Sequence, residues 1–127
     1  MPAHEYAKRY TAAQVTSVDR KRLLLLVFEG GQRFLRTART ALANGDLVVF
    51  GEQVGRAQGI ISELLGTLDH EVGGELSADL ARLYEFMLLH LTAATAQRSV
   101  THVDEVIGVF DTIAGAFREA IEGGAAG

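Results

Sequence analysis

The stretch SVDRKRLLLLVFEGGQRFLRTARTALANG, residues Ser17 to Gly45, decides how the rest of the chain is read. Its pattern predicts one long helix with more apolar surface than a single core contact needs. Leu24, Val27, Phe28, Gly31, Leu35, Ala38 and Leu42 follow the three-and-four spacing of one helical face. Leu23, Leu26, Gly30, Phe34 and Ala41 repeat that spacing one position earlier. Two adjoining stripes cover an arc wider than the roughly 100° face of an ordinary surface helix. Arg22, Glu29, Arg33, Arg36 and Arg39 fall mostly outside both. Such a helix is expected to meet neighbours on two sides. Ser17 has the chemistry of an N-cap and Asp19 suits a positive helix end, while Asn44-Gly45 offers the left-handed conformation that ends helices.

On the N-terminal side, residues 1–16 read as an arm. Ala3, Tyr6, Ala7, Tyr10 and Ala13 are spaced for one face of a short helix, with Lys8 and Arg9 opposite. A helix this short is marginal alone and needs a surface to lie on. On the C-terminal side, Asp46 can cap the next helix directly, and so short a connection makes the two helices antiparallel neighbours. Leu47 to Leu68 carries Phe50, Val54, Ala57, Ile61, Leu64 and Leu68 at helical spacing, widened by Ile60 and Leu65. Asp69 to Gly74 is an extended breaker ending in a double glycine. Glu75 to Gln97 places Leu76, Leu80, Leu83, Met87, Leu91 and Ala94 on one face, flanked by Tyr84, Leu88 and Thr95. Ser99 can cap the last segment, where Val103, Val106, Phe110, Ile113, Phe117 and Ile121 form a stripe. The fold class expected is all-α: an antiparallel four-helix bundle over residues 17–122, preceded by a short fifth helix. Residues 123–127 are expected to be a disordered Gly/Ala tail.

A chain of 127 residues makes one domain, with 48% apolar residues to build its core. It has no cysteine, which removes disulfides and thiolate metal sites together. A net charge of −4 argues against a broad nucleic-acid surface, and Arg20-Lys21-Arg22 reads as a solvated face. No apolar run reaches the roughly 20 residues of a membrane span, and the N-terminus lacks the apolar core of a secretory signal, so a cytoplasmic protein is expected. The four histidines are scattered, and the Glu-x-x-His pairs of a di-metal bundle do not occur. The glycine-rich breaker lacks phosphate-loop spacing. Neither catalytic residues, cofactor nor metal are expected.

Taken together the segments resemble the FliS family of flagellar export chaperones, which bind flagellin. The likeness runs from about Tyr10 to about Phe117. It rests on Tyr10 with Gln14-Val15-Thr16, Ser17 and Leu23-Leu24-Leu25-Leu26, then Phe28-Glu29-Gly30, Arg33-Phe34-Leu35 and Ala38. Asn44-Gly45-Asp46 matches the family's helix junction. Ala57, Ile60-Ile61, Glu63-Leu64, Leu68-Asp69 and Gly73-Gly74-Glu75 match its middle, and Leu80, Leu83-Tyr84 and Leu91 its following helix. Val18 stands where the family usually has proline, Phe28 where it has tyrosine, and Phe117 where it often has tryptophan.

The resemblance implies a partner, the disordered C-terminal segment of flagellin, which becomes helical in apolar grooves of the bundle. Covering that segment prevents premature polymerisation and keeps flagellin competent for type III secretion through the flagellar export apparatus. It also implies that the N-terminal arm can cover part of the groove. The spare stripe then has a use, because one face can meet the core and the other a partner helix. On this reading the contacts are Tyr10, Leu23, Leu26, Gly30, Phe34, Ile60, Leu64, Tyr84 and Leu88. Two other classes share the bulk features: a helical-bundle adaptor in an unrelated complex, and a bundle enzyme with a site assembled from distant residues.

Overall fold

The computed structural model describes the backbone of residues 3–126 and the side chains of residues 19–123. It has four helices: α1 (Ala3–Ala43), α2 (Leu47–Gly66), α3 (His70–Gln97) and α4 (Val100–Ala126). No strand occurs among the described residues. Each helix packs against two others, in the order α1, α2, α3, α4 and back to α1. α1 and α3 are therefore diagonal, as are α2 and α4.

The connections are short because the residues at each one stop and restart a helix locally. Gly45, at φ 77°, closes α1: its N–H donates to the Leu42 carbonyl at 3.1 Å, and the Asp46 N–H donates to the Ala41 carbonyl at 2.8 Å. This pair of bonds satisfies carbonyls that the helix end would leave unpaired. Asp46 then starts α2, its carboxylate accepting from the Val49 N–H at 3.2 Å. At the other end of the bundle, Asp69 accepts from the N–H groups of Glu71 and Val72 at 3.0 and 3.1 Å. Ser99 caps α4 by accepting from the His102 N–H at 3.2 Å. The stop before it uses no glycine: Arg98 itself takes the left-handed conformation, φ 50°.

Two boundaries differ from the sequence reading. Ser17 does not start a helix, because α1 runs from Ala3 through Ser17 to Ala43, so the short fifth helix is absorbed into α1. The reason is that no glycine or proline lies between Ala3 and Gly30, and capping chemistry acts only where the backbone already leaves the helix. Gly123 to Ala126, expected as a disordered tail, continue α4. Within the Asp69–Gly74 breaker, residues 70–73 form a helical turn and the interruption falls on Gly74 alone (φ 51°, ψ −123°). That backbone conformation is open to glycine and strained for other residues.

The core is built from the stripes. Phe28, Leu35, Ala38 and Leu42 of α1 meet Phe50, Val54, Ala57 and Ile61 of α2, Met87, Leu91 and Ala94 of α3, and Val103, Val106 and Phe110 of α4. On α3 the expected face is buried from Met87 to Ala94 but not near its start. Tyr84 is 1% exposed, whereas Leu76 and Leu83 are 67% and 39% exposed. At this level α3 turns Tyr84 rather than Leu83 to the core.

The α1–α4 seam has both an aromatic and an ionic component. The Phe28 ring lies 5.6 Å from that of Phe110 and 5.1 Å from that of Phe117. Phe28 is 1% exposed, so a hydroxyl there would need a buried partner. Outside the rings, Asp111 accepts from Arg36 and from Gln32 (2.8 Å), Arg39 pairs with Asp104 at 2.5 Å, and Arg118 with Glu29 at 3.3 Å. Partial burial pushes the Asp111 carboxyl up, but hydrogen bonds from Arg36 and Gln32 outweigh it and hold the group below the usual carboxylate range. A carboxyl lowered in this way contributes stability above its ordinary pKa of about 3.9 and loses it as pH falls through the folded value. Exposed pairs of this kind contribute roughly 0–1 kcal/mol each, so they orient the seam more than they stabilise it.

At Gly31 α2 and α4 both press close on α1. A methyl group placed there would lie 2.4 Å from Cζ of Phe110 on α4 and 3.3 Å from Cγ2 of Ile60 on α2. Gly31→Ala is expected to lower unfolding stability by about 1–3 kcal/mol, the usual range for overpacking. The loss should shrink in a Phe110→Leu background, where the colliding ring is absent, and urea unfolding of the four variants of this cycle measures both effects.

Candidate binding groove

Between α1 and α2 the bundle leaves an apolar groove. Leu23, Leu24 and Val27 form its α1 wall, and Glu63, Leu64 and Thr67 its α2 wall, with Arg20 at the entrance. Its volume is about 540 Å³. Further along the seam Ile60 packs beside Gly30, where a methyl would meet its Cδ1 at 3.5 Å, an ordinary contact. Phe34 follows, half-buried, with the Arg56 guanidinium 5.8 Å from its ring centre. Leu23 and Leu26 are 59% and 54% exposed along the outer edge.

The groove continues over the end of the bundle. A second hollow of about 310 Å³ shares Leu24, Leu64 and Thr67 with it and runs on to Leu68, Val72, Leu76, Leu80, Tyr84 and Phe117. At this end α2 finishes at Gly66, whereas α1 begins as far back as Ala3. At about 1.5 Å per residue α1 is about 60 Å long and α2 about 30 Å, so much of α1 has no counterpart on α2.

Of the residues expected to contact a partner, Leu23, Leu26, Gly30, Phe34, Ile60 and Leu64 fall together along the α1–α2 seam. Their depths differ. Leu23 and Leu26 are open, Phe34 and Ile60 are half-buried, and Gly30 and Leu64 are buried. Leu64 forms a floor rather than a rim. Tyr84, expected as a partner contact, is a core residue that only underlies the second hollow, because the neighbouring helices close over its side of α3. Leu88 is half-buried at the α2–α3 seam, where its carbonyl accepts from Gln58 at 3.4 Å. The side chain of Tyr10 lies outside the described residues. Val72 and Leu76, which the pattern placed in a breaker and on a core stripe, are surface residues of the second hollow. Their exposure depends on which helices pack at that end of the bundle, which the spacing within α3 does not carry.

The chemistry of the surface is apolar contact. Among the described residues no group of three His, Asp or Glu side chains is placed to hold a metal ion. The nearest approach to a polar cluster is on the α3–α4 seam, where His90 meets Glu105 at 2.8 Å and its ring stacks on that of His102 at 4.3 Å. No described helix is long and apolar enough to cross a membrane.

Comparison with known proteins assigns the family. The model of the flagellar protein FliS family matches residues 2–124. The chain belongs to the FliS family. It is similar to the flagellar secretion chaperone FliSB of Pseudomonas aeruginosa, with 37% identity over 102 residues, covering 80% of this chain and 81% of that protein. It is also similar to flagellar secretion chaperone FliS of Salmonella typhimurium, 33% identical over 115 residues with 90% and 85% of the two chains covered. A crystal structure of a flagellar chaperone from bacteria superposes with a TM-score of 0.81 over 96% of this chain and 99% of that one. At 19% identity that likeness supports the fold.

Burial separates floor from rim in a FliS-type groove, and stability measurements can test the division. Leu64→Ala should cost about 2–5 kcal/mol as a core truncation, and Leu26→Ala about 0.5 kcal/mol or less. Tyr84 adds a pH signature. Burial pushes its hydroxyl pKa up from 10.0 to about 12, so the folded state holds the proton longer than the unfolded chain does. That contribution is complete below pH 10 and is lost as pH rises from about 10 to about 12. The alkaline fall in stability should therefore be shallower in Tyr84→Phe than in the parent, as followed by chemical unfolding across that range.

Proposed function

We propose that this FliS-family protein is a secretion chaperone that holds the C-terminal segment of flagellin as a helix in the α1–α2 groove. The observation that carries the reading is the pair Leu23 and Leu26, more than half exposed beside an apolar groove of about 540 Å³. Free monomers keep such side chains scattered, and a row of them beside a groove fits an amphipathic helix laid into it. The relatives' description as flagellar secretion chaperones supplies the class of client.

On this proposal Leu23, Leu26 and Phe34 line one side of the client helix and Ile60 the other, with Leu64 as floor. Leu88 lies off the α1–α2 groove, and a client contact there requires the bound segment to continue round the bundle. Tyr10, on the part of α1 that α2 does not reach, contacts the client beyond the groove. Ordering a disordered segment costs roughly 2–5 kcal/mol, which the apolar burial must exceed. No nucleotide is needed, since binding alone withdraws the segment from polymerisation. Flagellin so covered stays unassembled in the cell interior and available to the export apparatus.

Calorimetric titration with a peptide of the flagellin C-terminal region tests the reading. The parent chain should bind with the negative heat-capacity change of apolar burial. A Leu23→Glu, Leu26→Glu variant should bind at least about tenfold more weakly, a difference of ~1.4 kcal/mol, with its melting temperature nearly unchanged because both positions are exposed. Absence of binding by the parent, or undiminished binding by the folded variant, would exclude this groove. A bundle adaptor unrelated to flagella would give the first result.

A further inference from the structure

A second apolar surface runs along α3, from Leu76 at the far edge of the second hollow to Leu89, away from the α1–α2 groove. Leu76, Leu83, Phe86 and Leu89 are 67%, 39%, 41% and 74% exposed. Their spacing of seven, three and three residues puts them on one oblique ridge, about 20 Å long at the helical rise. Single exposed apolar side chains are ordinary, but a row at helical spacing on one helix is a surface of the kind that partners cover.

The two surfaces have opposite electrical borders. The α1–α2 groove carries Arg20 at its entrance, Arg33 beside Gly30 and Arg56 over Phe34, against Glu63 alone among its lining residues. The α3 ridge is bordered by exposed Glu71, Glu75, Asp79 and Glu85. The basic residue among them is Arg82, and its guanidinium is already engaged by Asp79. On the α4 side the neighbouring charge is Glu105, hydrogen-bonded to His90 at 2.8 Å. Helices flanked by one sign of charge cannot suit both surfaces equally, since like charges across an interface oppose binding.

From this contrast we propose that the α3 ridge is a separate docking surface for a second protein. Its occupant is an amphipathic helix whose apolar face is flanked by Lys and Arg. A second copy of this chain fits poorly, because a symmetric pairing through α3 would set each acidic border against itself. Anionic lipid and nucleic acid are disfavoured for the same reason. A helix seated on α3 would leave the α1–α2 groove open, so one bundle could hold two helices at once.

Two synthetic peptides of about 18 residues, enough for five turns, serve as probes. They share one leucine stripe, flanked by Lys and Arg in the first and by Glu in the second, and binding to the full chain is read by fluorescence anisotropy. The basic peptide should bind at least about tenfold more tightly than the acidic one, and Glu75→Lys with Glu85→Lys should reverse the order. Leu89→Ser should weaken the basic peptide several-fold with the circular dichroism melt unchanged. Chemical-shift changes in labelled protein should fall on α3, and a saturating flagellin segment should leave the affinity unchanged within about twofold. Equal binding of the two peptides, no binding of either, shifts confined to α1 and α2, or displacement of the basic peptide by the flagellin segment would overturn the proposal. So would dimers of the chain that exclude the peptide. The peptide preference and the shift map do not depend on flagellin binding, so they stand or fall apart from the chaperone reading.

Discussion

The fold turns on the missing side chain at Gly31. The Phe110 ring from α4 closes over α1 there at a distance that no Cβ would allow, and the Ile60 side chain from α2 at one that a Cβ would only just fit. Glycine in a helix interior costs about 1 kcal/mol relative to alanine. Here it lets one helix serve two neighbours at nearly the same level. One turn away Phe28 meets the Phe110 ring at a tilt and stacks on Phe117, so the aromatic seam and the glycine step act as one packing unit.

That unit determines where the charged residues of α1 can go. With one side of α1 against α4, Gln32, Arg36 and Arg39 meet Asp111 and Asp104 in a row of polar contacts. With the other side against α2, Leu23 stands opposite the last turns of α2 as a wall of the groove, and Leu26 one turn on stays exposed. On α3 the same bundle leaves a different kind of surface, apolar with an acidic border. A bundle of this size thus presents two apolar faces with different electrical character, which allows selective occupation by different helices.

Much of this was legible because it is local. Asp46 and Ser99 cap the helices they precede, and Gly45 ends α1, since each acts within a few residues of itself. The stripes of α2 and α4 matched the buried residues because both helices keep one register from end to end. The stop at Arg98 was located but not explained by the pattern, since arginine has no preference for a left-handed backbone. Ser17 misled the boundary because a good capping residue does not itself interrupt a helix whose neighbours all sustain one. The seam residues of the groove were readable from the spare stripe. Tyr84 was not, because its depth depends on which neighbouring helices close over that side of α3.

The sequence by itself determined four apolar helical periods, the residues that separate them and the excess apolar arc on the first. These follow from side-chain spacing and backbone preference, which need no knowledge of neighbours. The tertiary structure decided which of two adjacent stripes is buried, which leucines are floor and which are rim, and where arginine and carboxylate meet across helices. A stripe is buried only when another helix lies against it. The angle of each helix is set by close approaches such as Phe110 over Gly31, between residues far apart in the chain.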